Sequence, residues 1–217
     1  MYMRIGKIQL KNSFFLLLAL FILFGQSSLL PLIFLAALAH EFGHLLAIWG
    51  FGGTVRSVSI SFLGAKIEYS RGRQSYIAEA VVALAGPICN LLVAYLFAQF
   101  GTLGGDALFF SGANLLLGLF NLLPISSLDG GRALYFFCAK LFGIDTAETI
   151  GEKVSTFCAA ALFLFGIWVF LVSGWNLSLM LIAACLLIRP RLRFRKFERF
   201  HQNKRKQRKG KRNRDML

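Results

Sequence analysis

The sequence predicts an all-α polytopic membrane protein, with about six transmembrane helices and a small β-hairpin after the second. Three observations carry that expectation. Apolar residues make up 57% of the 217-residue chain, and mean hydropathy is +0.65, which sets it apart from ordinary soluble domains. Several apolar runs approach or reach the roughly 20 residues that a helix needs to cross a bilayer. The Lys and Arg residues stand in blocks that alternate with those runs. The net charge of +14 describes a tail rather than the body. Residues 189–217 hold 14 Lys and Arg against Glu198 and Asp215, while ten basic and eight acidic residues elsewhere nearly cancel. The expected division is a membrane domain over residues 1–190 and a basic cytoplasmic tail over 191–217.

In chain order, residues 13–24 form the first apolar run, behind Arg4, Lys7 and Lys11. A basic flank before an apolar core is also the pattern of a signal peptide. No A-x-A site follows and the next apolar segment begins at once, so an uncleaved helix is expected. Residues 25–30 are an uncharged turn. The second helix spans 29–50 and is broken by Phe51-Gly52-Gly53. Residues 54–69 change period. Val55, Ser57, Ser59 and Ser61 alternate with Arg56, Val58, Ile60 and Phe62, Gly64 interrupts, and Ala65 to Tyr69 follow. That is the pattern of a two-stranded hairpin. Unpaired strands cannot lie in lipid, so the hairpin belongs at the interface or against the bundle. There an edge strand could add a substrate strand by backbone pairing, or the hairpin could be purely structural.

The third helix, 76–100, contains Gly86-Pro87, which should kink it, and Asn90. A polar side chain at membrane depth suits interhelical bonding or a place at a site about equally. Residues 101–106 turn, and 107–123 form the fourth helix. Pro124 ends it, Ser126-Ser127 keep the chain irregular, and Asp129 precedes Gly130-Gly131 and a short apolar helix at 133–142. Residues 143–153 read as a polar loop. The last two spans are 154–172 and 175–188, joined by Ser173-Gly174 and ended by Pro190. The turns at 25–30, 101–106 and 173–174 carry no Lys or Arg, whereas the N-terminus, 51–75, 130–153 and the tail carry all 24. The positive-inside rule then puts both termini in the cytoplasm, as an even number of spans requires. Cys89, Cys138, Cys158 and Cys185 have no metal-finger spacing and lie in apolar segments, so buried reduced thiols are expected.

The chemistry gathers in the second helix. His40-Glu41-Phe42-Gly43-His44 is H-E-x-x-H, and two of the three histidines of the chain are in it. Spacing i, i+4 puts both imidazoles on one helix face, one turn apart, where they can share a metal ion. Glu41 projects about 100° around the helix, where it can act on water without being a ligand. On a soluble surface this could be a salt-bridging Glu between two histidines. In a membrane helix a central charge costs roughly 2.5–3.5 kcal/mol on insertion scales, which favours a functional site. Two histidines leave zinc short of its usual three protein ligands. Asp129, beside the broken backbone after the fourth helix, is the best candidate for the third, unless it only caps the following helix. Glu79 is a weaker one. The orientation puts both the motif and Asp129 toward the cytoplasmic leaflet.

H-E-x-G-H, the G-P-x-x-N of Gly86 to Asn90, and the N-x-x-P-x-x-x-L-D-G of Asn121 to Gly130 occur in one order over about residues 10–190. Together they resemble the site-2 protease family of intramembrane zinc metalloproteases, and most of all its compact bacterial sporulation-type branch, which processes a pro-sigma factor. The resemblance implies that residues 1–190 are an intramembrane metalloprotease domain. It implies that His40, His44 and Asp129 bind one zinc per chain and that Glu41 is the general base. Asn90 and Asn121 are then expected to hold substrate backbone or the oxyanion. The implied substrate is a membrane-tethered regulatory protein such as a pro-sigma or anti-sigma factor, with a membrane regulatory protein as a further partner and a bacterial cell membrane as the location. Ser127 departs from the family, which often has proline two residues before the ligand Asp. No stretch is long enough for a PDZ domain or a CBS pair. A metal-binding membrane transporter or sensor would need the ligands but not Glu41, and an inactive scaffold would need neither. The tail reads as an anchor on anionic lipid, worth about 1 kcal/mol per basic residue. Nucleic acid is disfavoured, for want of a recognisable module.

Overall fold

A computed structural model describes residues 2–5, 8–11, 29–61, 64–70, 75–100, 104–173 and 177–188. The expected first span at 13–24 and the basic tail at 191–217 lie outside the described residues. The chain divides into two compact units, Met1–Leu123 and Pro124–Leu217.

Three helices make the body of the first unit: α1 (Leu30–Gly50), α2 (Tyr76–Ala98) and α3 (Gly105–Leu122), each packed on the other two. Pro31 suits the start of α1, where no intrahelical partner exists for its missing N–H. The helix ends where the sequence breaks it. Gly52 takes φ +70°, its N–H donates to the Trp49 carbonyl, and the Gly53 N–H donates to the Ile48 carbonyl, closing the last turn. The inner face of α1 carries Ala36, His40, Gly43, His44 and Ile48. Its other faces expose Phe34, Leu38, Phe42, Leu46 and Trp49. The other two helices repeat the pattern. Asn90, Ser111, Asn114 and Gly118 are buried, while Leu92, Leu116 and Leu119 are exposed. Small and polar residues inside with large apolar ones outside is the packing of helices in lipid, where no hydrophobic force drives helix against helix.

Four strands belong to the same unit: β1 (Tyr2–Ile5), β2 (Ile8–Lys11), β3 (Thr54–Ser61) and β4 (Gly64–Ser70). They form one sheet in the order β1-β2-β3-β4. Strands β3 and β4 pair antiparallel, with Val58 opposite Ile67 and an irregularity between Val55 and Ser57. Strand β2 runs parallel to β3, with Ile8 opposite Val58. The two N-terminal strands have no counterpart in the sequence reading. Each is four residues long, too short for alternation to be distinctive.

The second unit has α4 (Asp129–Phe142), α5 (Ile144–Ser173) and α6 (Ser178–Ile188), with α5 packed on both neighbours. Two boundaries differ from expectation. The fifth-segment helix begins at Asp129 rather than 133. The polar stretch 143–153, expected as a loop, is helical from Ile144 and makes α5 thirty residues long. Ala147, Gly151, Ser155 and Ala159 are buried at every fourth position, with Asp145, Glu152 and Lys153 on the outer side. That is helical periodicity drawn in small residues, which polarity alone conceals. Gly143, at φ +85°, joins α4 to α5 without a longer loop.

Among the described residues four helices are long and apolar enough to cross a membrane: Pro31–Gly50, Tyr76–Ala98, Gly105–Leu122 and Ile144–Ser173. The chain is a helical membrane protein.

Candidate metal centre

Helix α1 delivers His40 and His44 to its inner face, where each is 7% exposed. The rings meet edge to face, with centroids 4.8 Å apart. Their Nε2 atoms face each other at 3.2 Å. The opposite nitrogens are turned into the bundle. His44 Nδ1 donates to the Val82 carbonyl at 2.7 Å, and His40 Nδ1 lies 2.9 Å from Asn90 Oδ1. A carbonyl can only accept, so His44 carries its proton on Nδ1 and presents a lone pair from Nε2. The Asn90 oxygen asks the same of His40.

Two nitrogen lone pairs face to face at this distance repel unless a cation lies beside both. Two nitrogens about 2.0–2.1 Å from one tetrahedral zinc would stand about 3.3–3.4 Å apart. The pair is therefore set at close to the spacing a shared metal requires, with both outer nitrogens held as in metal-binding histidines generally. The donor set and its geometry fit zinc.

Helix α2 supplies the floor. Pro87 lies within it and, lacking an N–H, leaves the Ala83 carbonyl without its helical donor. Gly86 faces the imidazoles so closely that a Cβ there would collide with His44 Nε2 and meet His40 Nε2 at 2.9 Å. Asn90 is fully buried. Its Nδ2 donates to the Ala36 carbonyl at 3.1 Å and to Asn114 Oδ1 at 3.0 Å. Both hydrogens of this amide and its oxygen are thus engaged inside the bundle. Glu41 follows His40 on α1 and is half-buried. Glu79 is buried in the first turn of α2. Asn121 is half-buried near the end of α3, and its Nδ2 donates back to the Leu117 carbonyl at 3.0 Å.

Asp129 is in the second unit. It is the first residue of α4 and 8% exposed. A carboxylate is favoured there by the helix dipole, and Arg132 reaches Oδ1 at 3.1 Å. The preceding loop is fixed by the fully buried Ile125, whose carbonyl accepts from the Leu128 N–H at 2.8 Å, and by Ser155 Oγ, which accepts from the Ser126 N–H at 2.9 Å.

The sequence reading named Gly86 for its kink and motif, and missed Val82 and Asn114 as parts of this arrangement. A backbone carbonyl leaves no trace in sequence. Asn114, like Asn90, was visible as an amide within an apolar helix.

A buried H-E-x-x-H pair on a lipid-exposed helix defines a membrane-embedded metalloprotein. No protein-family model matches the chain. It is 28% identical over 178 residues to stage IV sporulation protein FB of Bacillus subtilis, covering 79% of this chain and 60% of the relative. It is 27% identical over 143 residues to zinc metalloprotease MJ0392 of Methanocaldococcus jannaschii, covering 63% of this chain and 42% of the relative. The chain thus spans less than two thirds of the length of either. The solved site-2 protease from Methanocaldococcus jannaschii shares the fold, with a TM-score of 0.63 at 23% identity over 87% of this chain and 92% of that one. The chain is thus similar in sequence to zinc metalloproteases and in fold to a site-2 protease.

Proposed function

We propose that this protein is an intramembrane zinc metalloprotease that hydrolyses a peptide bond in or next to a transmembrane segment of a membrane-tethered regulatory protein. The observation that carries the reading is the His40–His44 pair, with Nε2 atoms 3.2 Å apart and both Nδ1 atoms turned to acceptors. His40, His44 and Asp129 are the proposed zinc ligands, one ion per chain. Bound zinc supplies an acidified water and a polarised carbonyl. Glu41 takes the proton of the attacking water and passes it to the leaving amine. A helical substrate must unwind first, since a hydrogen-bonded helix hides its carbonyls. Asn121 is proposed to bind the unwound backbone. For Asn90 the reading is revised: its amide is spent on His40, Ala36 and Asn114, so it positions a ligand instead of holding substrate.

The remaining proposals are topological. Six spans place both termini in the cytoplasm of a bacterial cell, residues 1–190 form the protease domain, and the tail at 191–217 rests on anionic lipid. The similarity to a sporulation protein suggests a pro-sigma or other regulatory substrate. Glu41→Gln tests the hydrolytic role. A variant that keeps about one zinc per chain but loses cleavage of a co-expressed tethered substrate supports it. Undiminished cleavage would refute it, and undiminished metal transport without cleavage would favour a transporter.

A further inference from the structure

We propose that Asn114, on a helix that bears no other part of the metal centre, is a positioning residue that fixes the ligating tautomer of His40 through Asn90. The inference rests on the zinc reading above. Asn90 can present either end of its amide to His40 Nδ1. If Oδ1 faces the ring, Nδ1 carries the proton and Nε2 bears the ligating lone pair. If Nδ2 faces it, the proton moves to Nε2 and the histidine cannot bind metal through that atom. What decides is the other end of the amide. There the two hydrogens of Nδ2 meet two acceptors, the Ala36 carbonyl at 3.1 Å and Asn114 Oδ1 at 3.0 Å.

The Ala36 carbonyl can only accept. Asn114 has an amide of its own, which could turn either way, and it is held in turn. Its Nδ2 donates to the Phe110 carbonyl at 2.8 Å, so its oxygen must face Asn90. The polarity runs without a break from the Phe110 carbonyl through Asn114 and Asn90 to His40. Asn90 and Asn114 are both fully buried, where each bond of such a chain is strengthened and a reversed one is costly. Three helices contribute: α3 sets the direction together with the Ala36 carbonyl, α2 transmits it and α1 bears the ligand.

The test is zinc binding by the full chain in detergent, read by chelator competition and by the visible absorption of the cobalt-substituted protein. Asn114→Leu keeps the branched shape, at a larger volume, and removes the acceptor. Loss of an outer-shell partner typically weakens metal binding about 10–100-fold, and a fall in that range is expected, with an altered cobalt spectrum. Asn114→Asp is the rescue. Protonated in this site, it still accepts from Asn90 and donates to Phe110, so its affinity should be near wild type. Asn114→Ser shortens the side chain beyond reach of Asn90 and should behave as Asn114→Leu even if leucine proves too large to fold. Wild-type affinity in Asn114→Leu or Asn114→Ser would overturn the proposal. So would an equal loss in Asn114→Asp, which would mark a packing role. Absence of zinc from the wild-type protein would instead sink the underlying metal reading.

Discussion

Gly86→Ala should separate the metal centre from the helix that supports it. In a helix interior, alanine is favoured over glycine by about 0.8–1.0 kcal/mol. Against that stands one collision. The new methyl would collide with His44 Nε2 and lie 2.6 Å from His44 Cε1 and 2.9 Å from His40 Nε2, where ordinary contact begins at 3.4 Å. The His44 ring must move about 1 Å, whereas metal–ligand distances are held within about 0.2 Å. Accommodating an extra methylene in a packed site costs about 1–3 kcal/mol, so the net loss of stability is roughly 0–2 kcal/mol. Metal binding should suffer far more, by over about 100-fold, because displaced ligands cost more than lost outer-shell partners. The assay is zinc per chain and chelator competition, beside thermal unfolding in the same detergent. A Gly86→Ala protein that binds stoichiometric zinc at wild-type affinity would refute the reasoning.

Two further outcomes are expected from packing. In Gly43→Ala the added methyl meets the Ala85 carbonyl oxygen at 2.5 Å and Cys89 Cβ at 2.6 Å. Backbone cannot turn aside, so α1 and α2 must part and stability should fall by about 3 kcal/mol; Gly112→Ala, inside α3 where a Cβ meets nothing within 4 Å, is the clash-free control and should gain up to about 1 kcal/mol in the same unfolding assay. Ser155→Ala removes the acceptor of the buried Ser126 N–H. It should cost about 1–3 kcal/mol, and a midpoint of thermal unfolding equal to wild type would show that the loop before Asp129 does not depend on it.

The sequence made legible whatever could be written as spacing. His40 and His44 at i, i+4 needed only helical geometry to meet, and they do. The C-terminal end of α1 followed from Phe51-Gly52-Gly53. What stayed hidden depends on backbone atoms or on residues whose roles look alike. The Val82 carbonyl that orients His44 has no residue type of its own. Asn90 offered two readings, interhelical bond or place at the site. In the structure it is both: its bonds to Ala36 and Asn114 join three helices, and its bond to His40 reaches the metal centre. Residues 143–153 were read by their charges, while their folding followed Ala147 and Gly151, which carry no hydropathy signal strong enough to draw a helix face.

The same extension of α5 bears on Ser127, which stands where the resembled pattern often has proline. Proline in a loop fixes backbone shape by removing a torsion and a donor. Ser127 removes neither, so another device must hold the loop. Ser155 is suited to it, one turn beyond Gly151 on the part of the stripe that points inward. Its Oγ accepts from the Ser126 N–H at 2.9 Å and lies 3.2 Å from the Ser126 hydroxyl. Beside that pair Ile125 is fully buried, and its carbonyl takes the Leu128 N–H. The loop is thus pinned by one apolar anchor and three hydrogen bonds, which order a short chain as a ring does, but only while α5 stays folded beneath it. Residues 143–153 are helical, and so the loop that carries Asp129 is held without a proline.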